Sequence, residues 1–249
     1  MSLSQQPNPT LFVIIIASFD KPVYFDFIKF RKLQLKQYNI PHLFVYDTEP
    51  PEDFVCDSND FIFKRSEPNL NVNTIHPEYN PHMIVKFLRA LHVIPSTYDY
   101  VVRVNLSTFI NFPLLCNTLR NSPRVKYAGG HNICVCLPDW CFSLRPTDVI
   151  DFMSGTFMVF SKDVIEYFKT LPFDSLMYHT HNDDVIISHL TKKNGILITH
   201  IDMCYSNDSS PIDSSYIIYR VRHENDREIK DTTTWKKLLG IIDYIDIIE

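Results

Sequence analysis

The feature that most constrains the fold is an alternation of short apolar runs with amphipathic stretches. The run LFVIIIAS at 11–18 is rich in β-branched residues, which is typical of a strand buried on both faces of a parallel sheet. The stretch 21–39 follows, with Pro22 suited to a first helical turn. The pattern continues with strands at 42–47, 61–65 and 98–103 and a helix at 82–94. Such alternation predicts an α/β fold with a parallel or mixed sheet.

The second half of the chain continues with both kinds of element. Strands are predicted at 125–131 and 155–161, with two more at 196–202 and 214–223, and helices at 162–171, 183–195 and 231–246. The sequence has no internal repeat and no linker long enough to divide it. We therefore expect one domain over residues 1–249, with 1–10 as a disordered leader.

Composition excludes several classes of function. A formal net charge of -5 and a pI near 6.0 do not suit a nucleic-acid-binding surface. Only 5 glycines are present, and none forms a glycine-rich phosphate loop. The longest apolar run, 11–17, is too short to span a bilayer and lacks the flanks of a signal peptide. We expect a soluble, cytoplasmic protein without a transmembrane segment.

Polar residues stand where three of the predicted strands end. Ser18 and Asp20 follow the first strand, Asp47 ends the second, and Asn105 and Ser107 follow the strand at 98–103. In an open α/β sheet, ligands bind outside the carboxyl ends of the strands. These side chains are expected to converge on one crevice, although each alone is also explained as a cap or a strand-terminating turn.

The order of these segments resembles the GT-A glycosyltransferases. The resemblance rests on a first strand ending in Ser-x-Asp, then VKFLRAL, YDYVVRVNLSTF, SGTFMVFSKDVIEYF and NDDVIISHL. It covers roughly residues 11 to 225 and implies a GT-A-like three-layer α/β/α sandwich with a central mixed, mostly parallel sheet. It also implies a UDP- or GDP-linked nucleotide-sugar donor and a glycan or glycoprotein acceptor. Residues 11–112 would then be the nucleotide-binding half and 113–249 the acceptor-binding half.

The sequence departs from this family at its metal-binding Asp-x-Asp motif. The alignment of YDYVVRV puts Asn105-Leu106-Ser107 on that motif. Divalent Mg²⁺ and Mn²⁺ prefer carboxylate oxygens, and this turn offers an amide and a hydroxyl. Three readings stay open at this point: a weak metal site that includes Ser107 and His223, a site in which Arg and Lys neutralise the diphosphate, or a turn whose Asn105 and Ser107 hydrogen-bond the ribose or donor sugar directly.

Further donor-site residues follow from the resemblance. Ser18, Asp20 and Asp47 would lie around the base and ribose, and Gly155 would permit close backbone approach to the sugars. The predicted basic and His residues of the donor site are Lys86, Arg89, Arg103, Arg220, Arg222 and His223. Of these, Lys86, Arg220 and Arg222 would lie around the diphosphate. Guanidinium groups suit phosphate because their fork matches its oxygens and keeps its charge.

The acidic pair Asp183-Asp184 precedes an apolar helical run. The plainest role is helix capping, since acids are favoured in a first turn. The resemblance implies in addition that Asp184 is the general base of an inverting transfer and Asp183 its acidic neighbour. Trp140 and His181 are the candidate acceptor-binding residues.

Two other functions remain in view. A sugar nucleotidyltransferase shares the α/β nucleotide fold, but the sequence ASFDKPVYF after the first strand lacks the expected glycine-rich loop. A GT-A-like domain that binds a glycan or nucleotide without turnover is favoured by Asn105 and Ser107 in place of carboxylates. The acidic pair at 183–184 speaks against that second alternative.

Overall fold

The computed structural model describes residues 7–46, 50–52, 54–63, 82–136, 149–175, 182–206 and 215–240. Its strands are β1 (Leu11–Ala17), β2 (His42–Tyr46), β3 (Asp60–Ile62), β4 (Tyr100–Asn105), β5 (Thr108–Ile110), β6 (Ala128–Cys136), β7 (Val149–Ser161), β8 (Ile198–His200), β9 (Met203–Ser206) and β10 (Ile218–Val221). Its helices are α1 (Val23–Gln37), α2 (His82–Val93), α3 (Phe112–Arg120), α4 (Lys162–Lys169), α5 (Asp183–Lys193) and α6 (Arg227–Leu238).

A seven-stranded mixed sheet forms the centre, in the order β3-β2-β1-β4-β7-β6-β8. Its pairs are parallel except β4 with β7 and β6 with β7, so β7 alone runs against the other strands of this sheet. A second sheet has the order β5-β10-β9. The predicted α/β class with a central mixed, mostly parallel sheet is confirmed.

Apolar layers on the two faces of the sheet explain the sandwich. One layer joins alternate residues of β1, such as Val13 and Ile15, to α1, α3, α6 and the small sheet. The other joins Ile14 and Ile16 to α2, α4 and α5. Because successive side chains of a strand point to opposite faces, the continuous apolar run of β1 supplies both layers.

The pairing of β1 with β4 aligns their carboxyl ends. Ile14 lies opposite Arg103, and Ile16 lies opposite Asn105. The polar residues after both strands therefore lie at one edge of the sheet, as the sequence predicted.

Three elements were not predicted from the sequence: β5, α3 and β9. Helix α3 has a local signal that could have been read, because Asn111 caps it through Leu114 N (3.2 Å) and a proline stands in its first turn. Helix α6 begins at Arg227, four residues before the prediction, because Arg227 Nε donates to Asp231 Oδ2 (2.8 Å) across its first turn. The predicted continuation of this helix to 246 lies outside the described residues.

Residues 7–10 differ from the predicted disordered leader. The Thr10 backbone N–H donates to Asp99 Oδ2 (2.8 Å), and Arg124 Nη2 donates to the Pro7 carbonyl (3.1 Å). Residues 1–6 lie outside the described part of the chain. Within that part, no helix is long and apolar enough to cross a membrane.

Trp235 attaches α6 to the rest of the domain. It is 0% exposed, and its ring lies 5.9 Å from Phe27 and 5.5 Å from Phe109, centroid to centroid. The Arg31 guanidinium lies 4.9 Å from the same ring. Helix α6 also carries Asp231, which contacts the chain just after β10, so its docking bears on the position of β10.

We predict that Trp235→Ala lowers the free energy of unfolding by about 3 to 5 kcal/mol, because a large buried ring is lost and a cavity remains. Urea unfolding followed by circular dichroism measures this change. Ile229→Ala on the same helix is the control, since Ile229 is 72% exposed. Equal effects of the two substitutions would contradict the packing role of Trp235.

Candidate functional site

The carboxyl end of β1 carries the first group of predicted site residues. Ser18 Oγ donates a hydrogen bond to Asp20 Oδ1. Lys86 is 0% exposed, and its Nζ donates to the Ala17 carbonyl at 3.3 Å. The ammonium group predicted to face the donor therefore lies at the end of β1, beside the end of β4.

Phe19 was missed by the sequence reading, although it stands between two predicted site residues. Its ring stacks on Tyr46 with centroids 4.7 Å apart, and it meets Phe54 edge-on at 4.9 Å. The Tyr46 hydroxyl in turn donates to Asp60 Oδ1 at 3.0 Å. These aromatic contacts fix the backbone that presents Ser18 and Asp20.

The turn after β4 is held together by the Asn105 side chain. Asn105 Oδ1 accepts hydrogen bonds from Thr108 Oγ1 (2.6 Å) and Arg220 Nη1 (2.7 Å). Ser107 Oγ lies 3.4 Å from the same oxygen and is 4% exposed. Thr108, which the sequence reading did not select, thus belongs to the turn.

Backbone pairing carries Arg220 to this turn. Strand β10 runs antiparallel to β5 with Arg220 opposite Thr108, and the Val221 N–H donates to the Ser107 carbonyl at 2.8 Å. Arg220 Nη1 also lies 3.4 Å from Thr108 Oγ1. The ladder, rather than a flexible side chain alone, therefore places the guanidinium on Asn105.

The surroundings of Arg220 disfavour its positive charge. Burial, followed by the positive charges of Arg222 and Arg227, lowers the pKa of Arg220 to about 10, and Tyr24 acts in the opposite direction. Among the described residues its hydrogen-bond acceptors are the neutral oxygens of Asn105 and Thr108. The group remains charged at neutral pH and would gain from a nearby anion.

His223 is hydrogen-bonded to Asp231 of α6. It is 8% exposed, its ring Nδ1 lies 2.6 Å from Asp231 Oδ1, and its backbone N–H donates to the same oxygen at 2.8 Å. Asp231, which is 0% exposed, also accepts from Arg227. The Asp231 carboxylate therefore fixes the orientation of the His223 imidazole, which was predicted from the sequence to bind a metal ion or the diphosphate.

The acidic pair opens α5, and the environments of its two carboxylates differ. Arg103 Nη2 binds Asp183 Oδ2, and Arg103 Nη1 donates to the Gly155 carbonyl at 2.7 Å. Asp184 Oδ2 accepts from the Gly155 N–H (3.1 Å), and Oδ1 accepts from the Val185 N–H (2.9 Å). Among the described residues Asp184 has no salt-bridge partner, whereas Asp183 is neutralised by an arginine that is 2% exposed.

Burial, together with the neighbouring Asp183 charge, raises the pKa of Asp184 above that of an ordinary Asp. The Gly155 N–H and the Arg103 charge act in the opposite direction but do not cancel these effects. A carboxylate with a raised pKa is a stronger base than an exposed one.

Gly155 allows the Arg103 guanidinium and the Asp184 carboxylate to lie close to each other. A Cβ at this position would lie 3.3 Å from Arg103 Nη1 and 3.4 Å from Asp184 Oδ2. The sequence prediction of a close approach at Gly155 thus has a physical reason, but the neighbours are protein groups.

A continuous series of contacts joins the acidic pair to the turn after β4. It runs from Asp184 to Gly155, from Gly155 to Arg103, along β4 to Asn105, and from Asn105 to Arg220. Arg103 and Asn105 are two residues apart on one strand, so they share a face and are separated by about 7 Å along it. We call these five residues the polar track.

Other predicted site residues lie elsewhere or were not described. Arg89 is stacked between aromatic rings, 4.9 Å from Phe63 and 5.5 Å from Phe173, and is not grouped with Lys86. Arg222 is exposed beside Arg220. Asp47, Trp140 and His181 lie outside the described residues, so the base, ribose and acceptor roles proposed for them stay predictions.

Within the described residues, no group of three or more His, Cys, Asp and Glu side chains could hold a metal ion. The turn after β4 offers the Asn105 amide oxygen and two hydroxyls instead of carboxylates, and the amide oxygen and the Thr108 hydroxyl contact the Arg220 guanidinium. Proteins usually hold Mg²⁺ or Mn²⁺ through one or two carboxylates in addition to substrate phosphates, and this turn supplies no carboxylate, so its donor set fits these ions poorly.

No protein-family model matches the chain, and no curated protein sequence matches it. Solved structures do. A glycosyltransferase involved in the glycosylation of the major capsid of PBCV-1 is 10% identical, with 94% of this chain and 100% of that chain covered and a TM-score of 0.44. A mutant of the Drosophila beta1,4galactosyltransferase 7 in complex with manganese, UDP-Gal and xylobiose is 10% identical, with coverage of 86% and 71% and a TM-score of 0.39.

A structure from another enzyme class is similar as well. The 2-C-methyl-D-erythritol 4-phosphate cytidylyltransferase from Thermus thermophilus is 10% identical, with 89% of this chain and 97% of that chain covered and a TM-score of 0.42. Both glycosyltransferases and a cytidylyltransferase are thus among the similar structures. At these identities and TM-scores the comparison does not separate glycosyl transfer from nucleotidyl transfer.

We predict that Arg103→Gln lowers the free energy of unfolding by about 3 kcal/mol at neutral pH, because Asp183 loses its buried counter-charge. Loss of that positive charge also raises the pKa of Asp184 further. A group whose folded-state pKa is raised destabilises the fold when ionised, so the deficit should shrink as the pH falls from about 7 to about 5.

Urea unfolding at both pH values measures this effect. The matched control is Arg124→Gln, since Arg124 pairs with Asp99 at the opposite edge of the sheet. A deficit that does not change with pH would contradict the electrostatic coupling of Arg103 to the acidic pair.

Proposed function

We propose that the protein is a glycosyltransferase that moves a sugar from a UDP- or GDP-linked donor to a hydroxyl of a glycan or glycoprotein acceptor. The observation that supports this most strongly is the polar track. It has a carboxylate base at one end and a guanidinium suited to phosphate at the other, on the carboxyl-end edge of an α/β sheet.

The proposed reaction is a single displacement. The acceptor oxygen attacks the anomeric carbon of the donor, Asp184 takes the hydroxyl proton, and the bond from that carbon to the diphosphate oxygen breaks. The electron pair leaves with the nucleoside diphosphate. One attack from the opposite face inverts the anomeric centre, and one base suffices for it.

The two carboxylates have separate roles in this proposal. Asp183 holds Arg103 and is occupied by it, so it positions the site and does not accept the proton. Asp184 is oriented by two backbone N–H groups and has a raised pKa, which suits a general base. Arg220 would contact the donor's phosphates, with Ser18 and Asp20 near the nucleoside, and the buried Lys86 would act on the phosphates through its charge without touching them.

A second function, glycan or nucleotide binding without turnover, is favoured by one observation. The turn after β4 has Asn105 and Ser107 where the resembled family has carboxylates. A binding domain of that kind would keep donor or glycan affinity when the base is replaced and would show no transfer in any form.

We predict that Asp184→Asn lowers transfer by about 100-fold to 10,000-fold, because the amide cannot accept the acceptor proton. Release of nucleoside diphosphate, from a panel of UDP- and GDP-sugars presented with a glycan mixture, measures the rate. Asp151→Asn is the matched control, since Asp151 is an exposed partner of Lys192. Undiminished transfer by a folded Asp184→Asn variant would overturn the proposed mechanism, and no transfer by the wild type would favour the binding domain.

The pH dependence provides an independent test of the same base. Asp184 must be ionised to act, so transfer should be lost as the pH falls through its raised pKa. Asp183→Asn removes a neighbouring negative charge and leaves the Arg103 charge uncompensated. Both changes lower the pKa of Asp184, so the acid limb of the pH–rate profile should move to lower pH.

The profile of kcat against pH for Asp183→Asn and Asp151→Asn measures this shift. An acid limb that stays in place in Asp183→Asn, in an enzyme that still turns over, would mean that another group is the base.

A further inference from the structure

We propose that the guanidinium of Arg220, held by Asn105, takes the role at the turn after β4 that a divalent cation has in the resembled family, so that the donor diphosphate is bound without a metal ion. This inference rests on the proposed function, because it concerns the same donor site. It answers the question that the sequence left open between a weak metal site and neutralisation by basic side chains.

The Arg220 guanidinium lies on the oxygen of the turn that a cation would bind. Arg220 Nη1 lies 2.7 Å from Asn105 Oδ1, the side-chain oxygen of the turn that is best suited to bind a cation. A divalent ion takes oxygen ligands at about 2.0 to 2.6 Å. An ion bound to Asn105 Oδ1 would thus lie close to a positive charge that already uses this oxygen, and the repulsion would disfavour it.

Backbone pairing holds Arg220 at the turn after β4. Thr108 Oγ1 donates to the same Asn105 oxygen, and Thr108 stands opposite Arg220 in the β5–β10 ladder. The Ser107 carbonyl accepts from Val221 N, so the turn and the strand that carries Arg220 are joined by backbone as well. Displacing the arginine to admit a metal ion would require a change in this joined unit.

Positive side chains surround Arg220. The positive charges of Arg222 and Arg227 both act on Arg220, and Arg227 shares the Asp231 carboxylate with His223. Arg220 itself is hydrogen-bonded to neutral oxygens within the described residues. Since Arg227 is paired with Asp231, Arg220 and the exposed Arg222 are the positive charges that would favour an anion of more than one negative charge, such as a diphosphate.

The planar guanidinium of Arg220 suits a diphosphate. A guanidinium carries five N–H donors in a rigid plane, and the Asn105 and Thr108 contacts both use Nη1. The rest of the fork can meet two phosphate oxygens in parallel. A lysine at the same position would keep the charge and lose the paired contact.

The test is isothermal titration of the full chain with inorganic pyrophosphate, UDP and GDP, in buffer with EDTA and in buffer with Mn²⁺. For the wild type we expect the two buffers to give dissociation constants within about twofold for any ligand that binds. Arg220→Gln should weaken binding by about 10-fold to 100-fold, since hydrogen bonds to a charged group are lost. Arg220→Lys should fall between the two.

A designed conversion sharpens the test. The triple variant Asn105→Asp, Ser107→Asp, Arg220→Gln exchanges the arginine for two carboxylates, and it should bind pyrophosphate in Mn²⁺ and lose that binding in EDTA. Arg124→Gln controls for the loss of an arginine away from the site, and circular dichroism checks the fold of every variant. If Arg220→Gln or the triple variant does not fold, Arg220→Lys decides the matter.

The outcomes separate the two proposals. Wild-type binding that requires Mn²⁺, or a folded Arg220 variant that binds as well as the wild type in EDTA, would overturn this inference and leave the proposed glycosyl transfer standing. No binding of pyrophosphate, UDP or GDP in either buffer would overturn both.

Discussion

The two-sided contact of Arg103 is the interaction on which the candidate site depends. The Arg103 side chain extends from β4 in the central sheet. It binds Asp183 at the start of α5 and donates to the Gly155 carbonyl on β7. A buried guanidinium is costly unless it is paired and hydrogen-bonded, so the contacts hold β4, β7 and α5 in one arrangement. The same arrangement leaves Asp184 beside a neutralised neighbour, with its own carboxylate held by backbone N–H groups.

A second contact, between Asn105 and Arg220, plays the corresponding part at the other end of the polar track. In the metal-free binding that we propose, this amide–guanidinium pair would stand where the resembled family has a carboxylate–metal pair, and the protein itself would supply the positive charge. The position of Arg220 depends on the small sheet, and that sheet depends on α6 through His223, Asp231 and the buried Trp235. The docking of α6 therefore bears on the position of Arg220.

The sequence was most informative where local pattern determines structure. The β-branched run of β1, the strand ending at Asn105 and the acidic helix start at 183–184 could be placed because each depends on neighbouring residues. The contacts of Arg103 with Asp183 and of Arg220 with Asn105 join residues 80 and 115 positions apart, and no local pattern contains them. For the same reason Arg103 was predicted to bind the donor, whereas its described hydrogen bonds are with Asp183 and the Gly155 carbonyl, and the small sheet that carries Arg220 to the turn was not predicted.

The central claim is that this edge of the sheet binds a nucleotide sugar. Thermal unfolding in the presence of UDP, GDP, their sugar conjugates and, for comparison, CTP and ATP tests it most directly, because a ligand that binds the native state raises the melting temperature by mass action. The account predicts a rise with a UDP or GDP compound and a larger one with one of its sugar conjugates. A rise with a nucleoside triphosphate alone would indicate a nucleotidyltransferase, and no rise with any of these compounds would contradict the account.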